Sequence, residues 1–188
     1  MARECGRASR GEGIRPATEN ADAMVVLGID PGLANCGYGV VVRRGHRLVA
    51  TDGGVIATPA GLPAERRLAT LHARLCDLLD EHEPDALALE ALFFGENVRT
   101  AFAVGQARGV VLLAAGQRGI GCVDYTPQQV KGSVCGTGRA DKDQVARMVQ
   151  TLLSLPQLPR PDHAADALAV AICHANHAPL AAAAAVAG

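Results

Sequence analysis

Apolar and polar positions divide the chain into short strand-like runs at the front and longer helical repeats behind them. Met24–Asp30 (MVVLGID) is a continuous apolar run that stops at Asp-Pro-Gly, the pattern of a buried strand closed by a turn. Two further runs, at about Cys36–Arg43 and Leu48–Ala57, flank Arg44, Gly45, His46 and Arg47, and the three runs together predict an antiparallel meander. Leu68, Leu71, Leu75 and Leu78 recur at helical spacing, so a helix from about Pro63 to Asp80 packs one face on the sheet. Pro84 ends any helix, and Asp85–Glu90 (DALALE) reads as the next strand. In a second helix, from about Asn97 to Arg118, Val98, Phe102, Gly105, Gly109, Leu112 and Gly116 share a face. Glycines there permit close approach of another helix, within the domain or at a dimer seam. Ile120–Asp124 reads as a fifth strand, Pro127 starts a short helix, and Val134–Arg139 reads as a Gly-rich loop. Helices from Asp141 to about Leu153 and from Pro161 to Ala175 complete the pattern. Strands first, then alternation, predict an α/β domain with three antiparallel strands at the start.

Composition narrows this picture. At 188 residues, 49% hydrophobic, the chain suits one domain, 24–177; with 3% aromatic residues and no Trp its core must be aliphatic. Residues 1–23, rich in Arg, Gly and Glu and without an apolar h-region, predict a disordered extension, and 178–188 an alanine-rich tail. No apolar run is long enough for a membrane span, and six scattered cysteines without a C-x-x-C pair read as reduced thiols of a cytoplasmic protein. Cys173, His174 and His177 cluster at a helix end, but they lack the second ligand pair of a structural zinc site.

A net charge of −1 offers nucleic acid no overall attraction, but its distribution does. Asn97–Arg147 holds seven basic residues against three acidic ones, a net +4 that leaves −5 for the rest. Such asymmetry suggests a cationic face, or a solvated surface with no partner.

Asp30 closes the first strand and Glu90 the fourth, so both carboxylates can face the crevice where sites of open α/β sheets form. The alternative is that Asp30 merely begins a turn and Glu90 pairs with an arginine. Clustered acids repel one another, and a divalent cation relieves this: Mg²⁺ takes carboxylates and water, and two ions about 3.5–4 Å apart would hold the attacking and leaving oxygens of a phosphodiester. On the last helix Asp166 lies beyond Asp162 and His163 at spacings that place all three on adjoining parts of one face. Asp162, just after Pro161, reads as a helix cap; Asp166, among Ala165, Ala167 and Leu168, belongs to a packed surface. A neutral His163 imidazole could bind metal or orient water. The chain's only lysines, Lys131 and Lys142, bracket GSVCGTGRAD, where a compact cation and a close-approaching backbone suit a phosphate; Arg139 lies in the same stretch. Phe93 and Phe94 follow Glu90; one could stack on an unpaired base, and Phe94 reads as core.

LGIDPGLANCGYGV, ALEALFF, GQARGVVLLA, TPQQVKGSVCGTGRADKDQV and DHAADALAVAICH, in this order, resemble the RuvC family of crossover junction endodeoxyribonucleases over nearly all of Met24–His177. The resemblance implies an RNase H-like fold: a mixed five-stranded sheet with helices on both faces. It implies that Asp30, Glu90 and Asp166 bind metal, that Phe93 stacks at the junction centre, and that Lys131 and Lys142 belong to the DNA-contacting and catalytic region; Arg139, beside them, is expected as a further DNA contact. Many members carry Asp where this chain has His163, while some carry His; His163 is therefore expected in the metal site, with Asp162 a weaker candidate. Ligation needs neutral imidazole, whose ordinary pKa is about 6.5, so activity is expected to drop in mildly acidic buffer. Also implied are two Mg²⁺ per site with Mn²⁺ able to substitute, a homodimer, four-way junction DNA cut by paired symmetrical nicks, and a branch-migration complex of RuvA and RuvB. Three rivals stand beside this reading: an RNase H-like nuclease for RNA or another branched substrate, a nucleotide-binding domain of the actin or sugar-kinase kind, which needs a second lobe, and a junction-binding protein without catalysis.

Overall fold

A computed structural model describes residues 23–91 and 98–186. Phe93, Phe94 and nearly all of the N-terminal segment, for which stacking, core packing and disorder were expected, lie outside the described residues.

Three strands, β1 (Ala23–Asp30), β2 (Asn35–Arg44) and β3 (Arg47–Ala57), form the expected meander. Helix α1 (Ala64–His82) leads to β4 (Ala86–Glu90), and α2 (Val98–Gly116) to β5 (Gly121–Tyr125). Helices α3 (Pro127–Cys135), α4 (Lys142–Leu152) and α5 (Asp162–Val186) follow. The sheet order is β3-β2-β1-β4-β5. β1 pairs antiparallel with β2 and parallel with β4, and β4 pairs parallel with β5. This is the mixed five-stranded sheet the sequence predicts.

β1 is central and covered on both sides, which is why its sequence is continuously apolar rather than alternating. Val26 packs towards α5, and Leu27 and Ile29 towards α1 and α2; all three are fully buried. Leu71, Leu75 and Leu78 of α1 are buried in the second of these layers, with Leu68 partly buried beside them. Helix α5 fills the first layer, with Ala167, Ala171, Ile172 and Cys173 of its buried face at 1% exposure or less.

Local chemistry sets the element ends. Glu83 ends α1 in the left-handed region at φ 41°, its N–H donating to the Leu79 carbonyl. Thr126 and Gln129 close a capping box on α3. Asp141 Oδ1 caps α4 by accepting from the Gln144 N–H at 2.7 Å.

Four expectations are corrected. The Gly-rich loop does not begin at Val134: α3 continues to Cys135 and ends at Gly136, φ 74°, a position that favours glycine. α5 does not stop near Ala175 but runs on through Pro179 to Val186, the run of alanines at 181–185 being the strongest helix former. Of the two places open to the α2 glycines, close approach of a helix within the domain is not found among the described residues, since a Cβ at Gly105, Gly109 or Gly116 would meet nothing within 4 Å. Asp162 makes no cap hydrogen bond among the described residues; the Pro161 carbonyl accepts from the Ala164 N–H, and Asp162 is the first residue of the helix proper.

Candidate active site

Asp30 and Glu90 end neighbouring parallel strands whose preceding residues, Ile29 and Leu89, are paired in register. Alternation along each strand turns both carboxylates to the α5 side of the sheet. The first two turns of α5 cross above them and bring His163 and Asp166 to the same place. His163 Nδ1 lies 2.7 Å from Asp30 Oδ2. A carboxylate only accepts, so this hydrogen bond to Asp30 calls for the proton on Nδ1. Lys142 Nζ, at the start of α4, is 3.7 Å from Asp166 Oδ2.

These groups line a cleft of about 390 Å³ together with Lys131 from α3. Its polar walls are Asp30, Glu90, Lys131, Lys142, His163 and Asp166, all six of the residues expected to be catalytic. Its floor is apolar, from Pro127, Val130, Val145, Ala169 and Val170. Those five went unseen as site residues because the sequence marks them only as members of helix-packing stripes. Arg139 and Asp162 are exposed and do not line the cleft.

Burial raises the Glu90 carboxyl to about 7, helped by repulsion from Asp30 and Asp166 and opposed by Lys142 and Lys131. Asp166 is also raised, again chiefly by burial, with Lys142 opposing and Asp30 adding. A cleft that holds Glu90 and Asp166 at such cost suits positive charge.

The Cys173, His174 and His177 cluster does other work. Tyr125 Oη lies 3.0 Å from His174 Nδ1, and His177 Nδ1 donates to the Cys173 carbonyl at 2.8 Å. Burial first, and His177 second, hold the His174 pKa below the ordinary imidazole value. Among the described residues no three His, Cys, Asp or Glu side chains close on one point as a ready-made metal cage, here or in the cleft.

An RNase H-like sheet with acids at the carboxyl ends of adjacent parallel strands, faced by a helix carrying His and Asp and rimmed by lysines, defines a nuclease that works on phosphodiesters. The family model described as crossover junction endodeoxyribonuclease RuvC matches residues 26–174, and the chain belongs to that family. The crossover junction endodeoxyribonuclease RuvC of Thermomicrobium roseum is 59% identical over 151 residues, 80% of this chain and 92% of that protein. Thermus thermophilus RuvC in complex with Holliday junction substrate superposes with a TM-score of 0.80 at 42% identity, over 84% of this chain and 96% of that one. The yeast mitochondrial Holliday junction resolvase shares the fold, with a TM-score of 0.57 at 16% identity over 80% of this chain and 78% of that one.

Proposed function

We propose that this chain, as a homodimer, resolves four-way DNA junctions by paired symmetrical nicks, hydrolysing one phosphodiester at each site with a divalent metal. The observation that carries the reading is the convergence of Asp30, Glu90, His163 and Asp166 in one cleft with Lys131 and Lys142 at its edge.

The donor set fits Mg²⁺, with Mn²⁺ as a substitute. Hard carboxylate oxygens dominate, and Mg²⁺ is commonly held by one or two carboxylates, waters and substrate phosphate rather than by an all-protein cage. Asp30, Glu90 and Asp166 would hold it, with His163 contributing Nε2; the two-ion arrangement belongs to the same reading. When bound, the metal supplies Lewis acidity towards the phosphate and a water acidic enough to attack at neutral pH. Asp30 orients the His163 ring through the Nδ1 proton. Lys142, 74% exposed, and Lys131 offer cations to the scissile phosphate and to the charge that builds as the bond to the leaving oxygen breaks. The apolar floor of Val130, Val145 and Val170 excludes water from behind the carboxylates, which strengthens each of these interactions. Phe93 is proposed to stack at the junction centre and Arg139 to contact backbone phosphate.

The dimer rests on α2. Phe102 is 67% exposed and Leu113 54%, beside the open glycines, an apolar face of the kind a second copy covers. RuvA and RuvB are proposed as the branch-migration partners. A cytoplasmic setting agrees with the free cysteines, and no helix among the described residues is long and apolar enough to cross a membrane.

The test is cleavage of a synthetic four-way junction and its linear duplex, with Mg²⁺ or with EDTA, for the wild type and Asp30→Asn. Paired nicks in the junction alone are expected, lost in EDTA and reduced roughly 100-fold or more by the substitution. Junction binding without cleavage would leave a binding protein, and indifference to both DNAs would return the nucleotide-binding reading.

A further inference from the structure

The sheet glycines facing α5 differ from those of α2. A Cβ at Gly37 would lie 2.0 Å from the His163 carbonyl oxygen and 2.5 Å from its carbon. One at Gly28 would lie 2.1 Å from the Ala167 oxygen and 2.8 Å from the Ala171 nitrogen. At Gly39 it would meet the Leu168 side chain at 2.7 Å and the Leu168 nitrogen at 2.9 Å. None of the three has a positive φ, so what each provides is room rather than backbone freedom. Their register is equally pointed: Gly28 pairs with Gly39, and Gly37 pairs with Asp30 itself.

We infer that Gly28, Gly37 and Gly39 form a positioning track that seats α5 against the sheet and thereby sets the reach of His163 and Asp166 to Asp30 and Glu90. The residues of α5 that rest on the track are His163, Ala167, Leu168 and Ala171, interleaved with Asp166. Ordinary contact begins near 3.4 Å, so a single added methyl at Gly37 or Gly28 lifts the helix backbone by roughly 1 Å. A site of this kind tolerates about half that error. The sheet carboxylates stay in place when the helix moves, so the cost falls on the meeting of the two halves. None of the three glycines touches substrate; they act through the helix they carry.

The test makes Gly37→Ala, Gly28→Ala and Gly39→Ala singly, with Leu75→Ala as a control that destabilises the opposite layer. The first readout, in metal-free protein, is the two-bond ¹H–¹⁵N spectrum of the His163 ring, which reports whether Nδ1 keeps its proton against Asp30. The second is Mn²⁺ affinity by calorimetry, which also rests on the metal reading above. The glycine variants that fold are expected to lose the Nδ1–H signature and at least about tenfold in Mn²⁺ affinity. Leu75→Ala is expected to keep both within about twofold. Glycine variants that match the wild type, or a Leu75→Ala loss as large as theirs, would overturn the track. Failure of all three to fold would overturn a role directed at the site and assign them to the fold. A wild type that binds no Mn²⁺ would sink the metal reading instead, leaving the imidazole spectrum to decide the track.

Discussion

Glu90 follows Leu87, Ala88 and Leu89, all fully buried, and shares its cleft with Asp30 and Asp166. With its pKa raised to about 7, the native state takes up a proton that the unfolded chain, titrating near 4.5, does not yet bind. Without metal, stability should therefore rise as the pH falls from about 8 to about 5, by on the order of 1–2 kcal/mol. Glu90→Gln should shrink that rise to the part Asp166 contributes, and thermal melts of both proteins in EDTA check it. With metal the sign reverses in function, because protons and cations compete for the same oxygens: divalent affinity and cleavage fall as the pH falls. The acid-side loss expected from His163 thus has a second source. His163→Ala should flatten the acid limb of the pH–rate profile without abolishing it, and a limb of unchanged steepness would remove the ring from the metal site.

Among the elements, α2 is apolar on its buried and its exposed face alike. Ala107, Val111, Ala114 and Ala115 are fully buried beneath it, while Phe102, Leu112 and Leu113 stand exposed. Introducing charge on that outer face by Phe102→Asp with Leu113→Asp should yield a folded monomer by sedimentation that no longer nicks in pairs. A dimer undisturbed by both changes would place the seam elsewhere. The strands and the antiparallel start of the sheet were legible from the apolar runs, and the sharp endings of β1 and β4 marked Asp30 and Glu90; the spatial order of the strands came only with the structure. Two features were not legible. The glycines of α2 and those of β1 and β2 look alike in sequence, yet one set faces open space and the other takes a helix backbone; only the packing of distant segments tells them apart. The length of α5 was also missed, because alanine carries no amphipathic pattern, so intrinsic helix preference set its extent where periodicity was silent.

At the scale of the whole molecule, a chain of net charge −1 must hold a polyanion with a locally basic segment. Binding should therefore depend steeply on salt, the slope of log affinity against log salt falling by about 0.9 for each phosphate neutralised on duplex arms. Lys131→Ala and Arg139→Ala should each flatten the slope by about one unit, measured by anisotropy in EDTA with a labelled junction; unchanged slopes would take those residues off the DNA. The bond between Asp30 and His163 joins positions 133 residues apart, with β1 leading the fold and α5 closing it. A ribosome emits β1 early and α5 last. A nascent chain that has passed Glu90 but not yet reached His163 holds only the sheet half of the proposed site, so the cleft that would cut DNA is complete only once α5 has been made and folded.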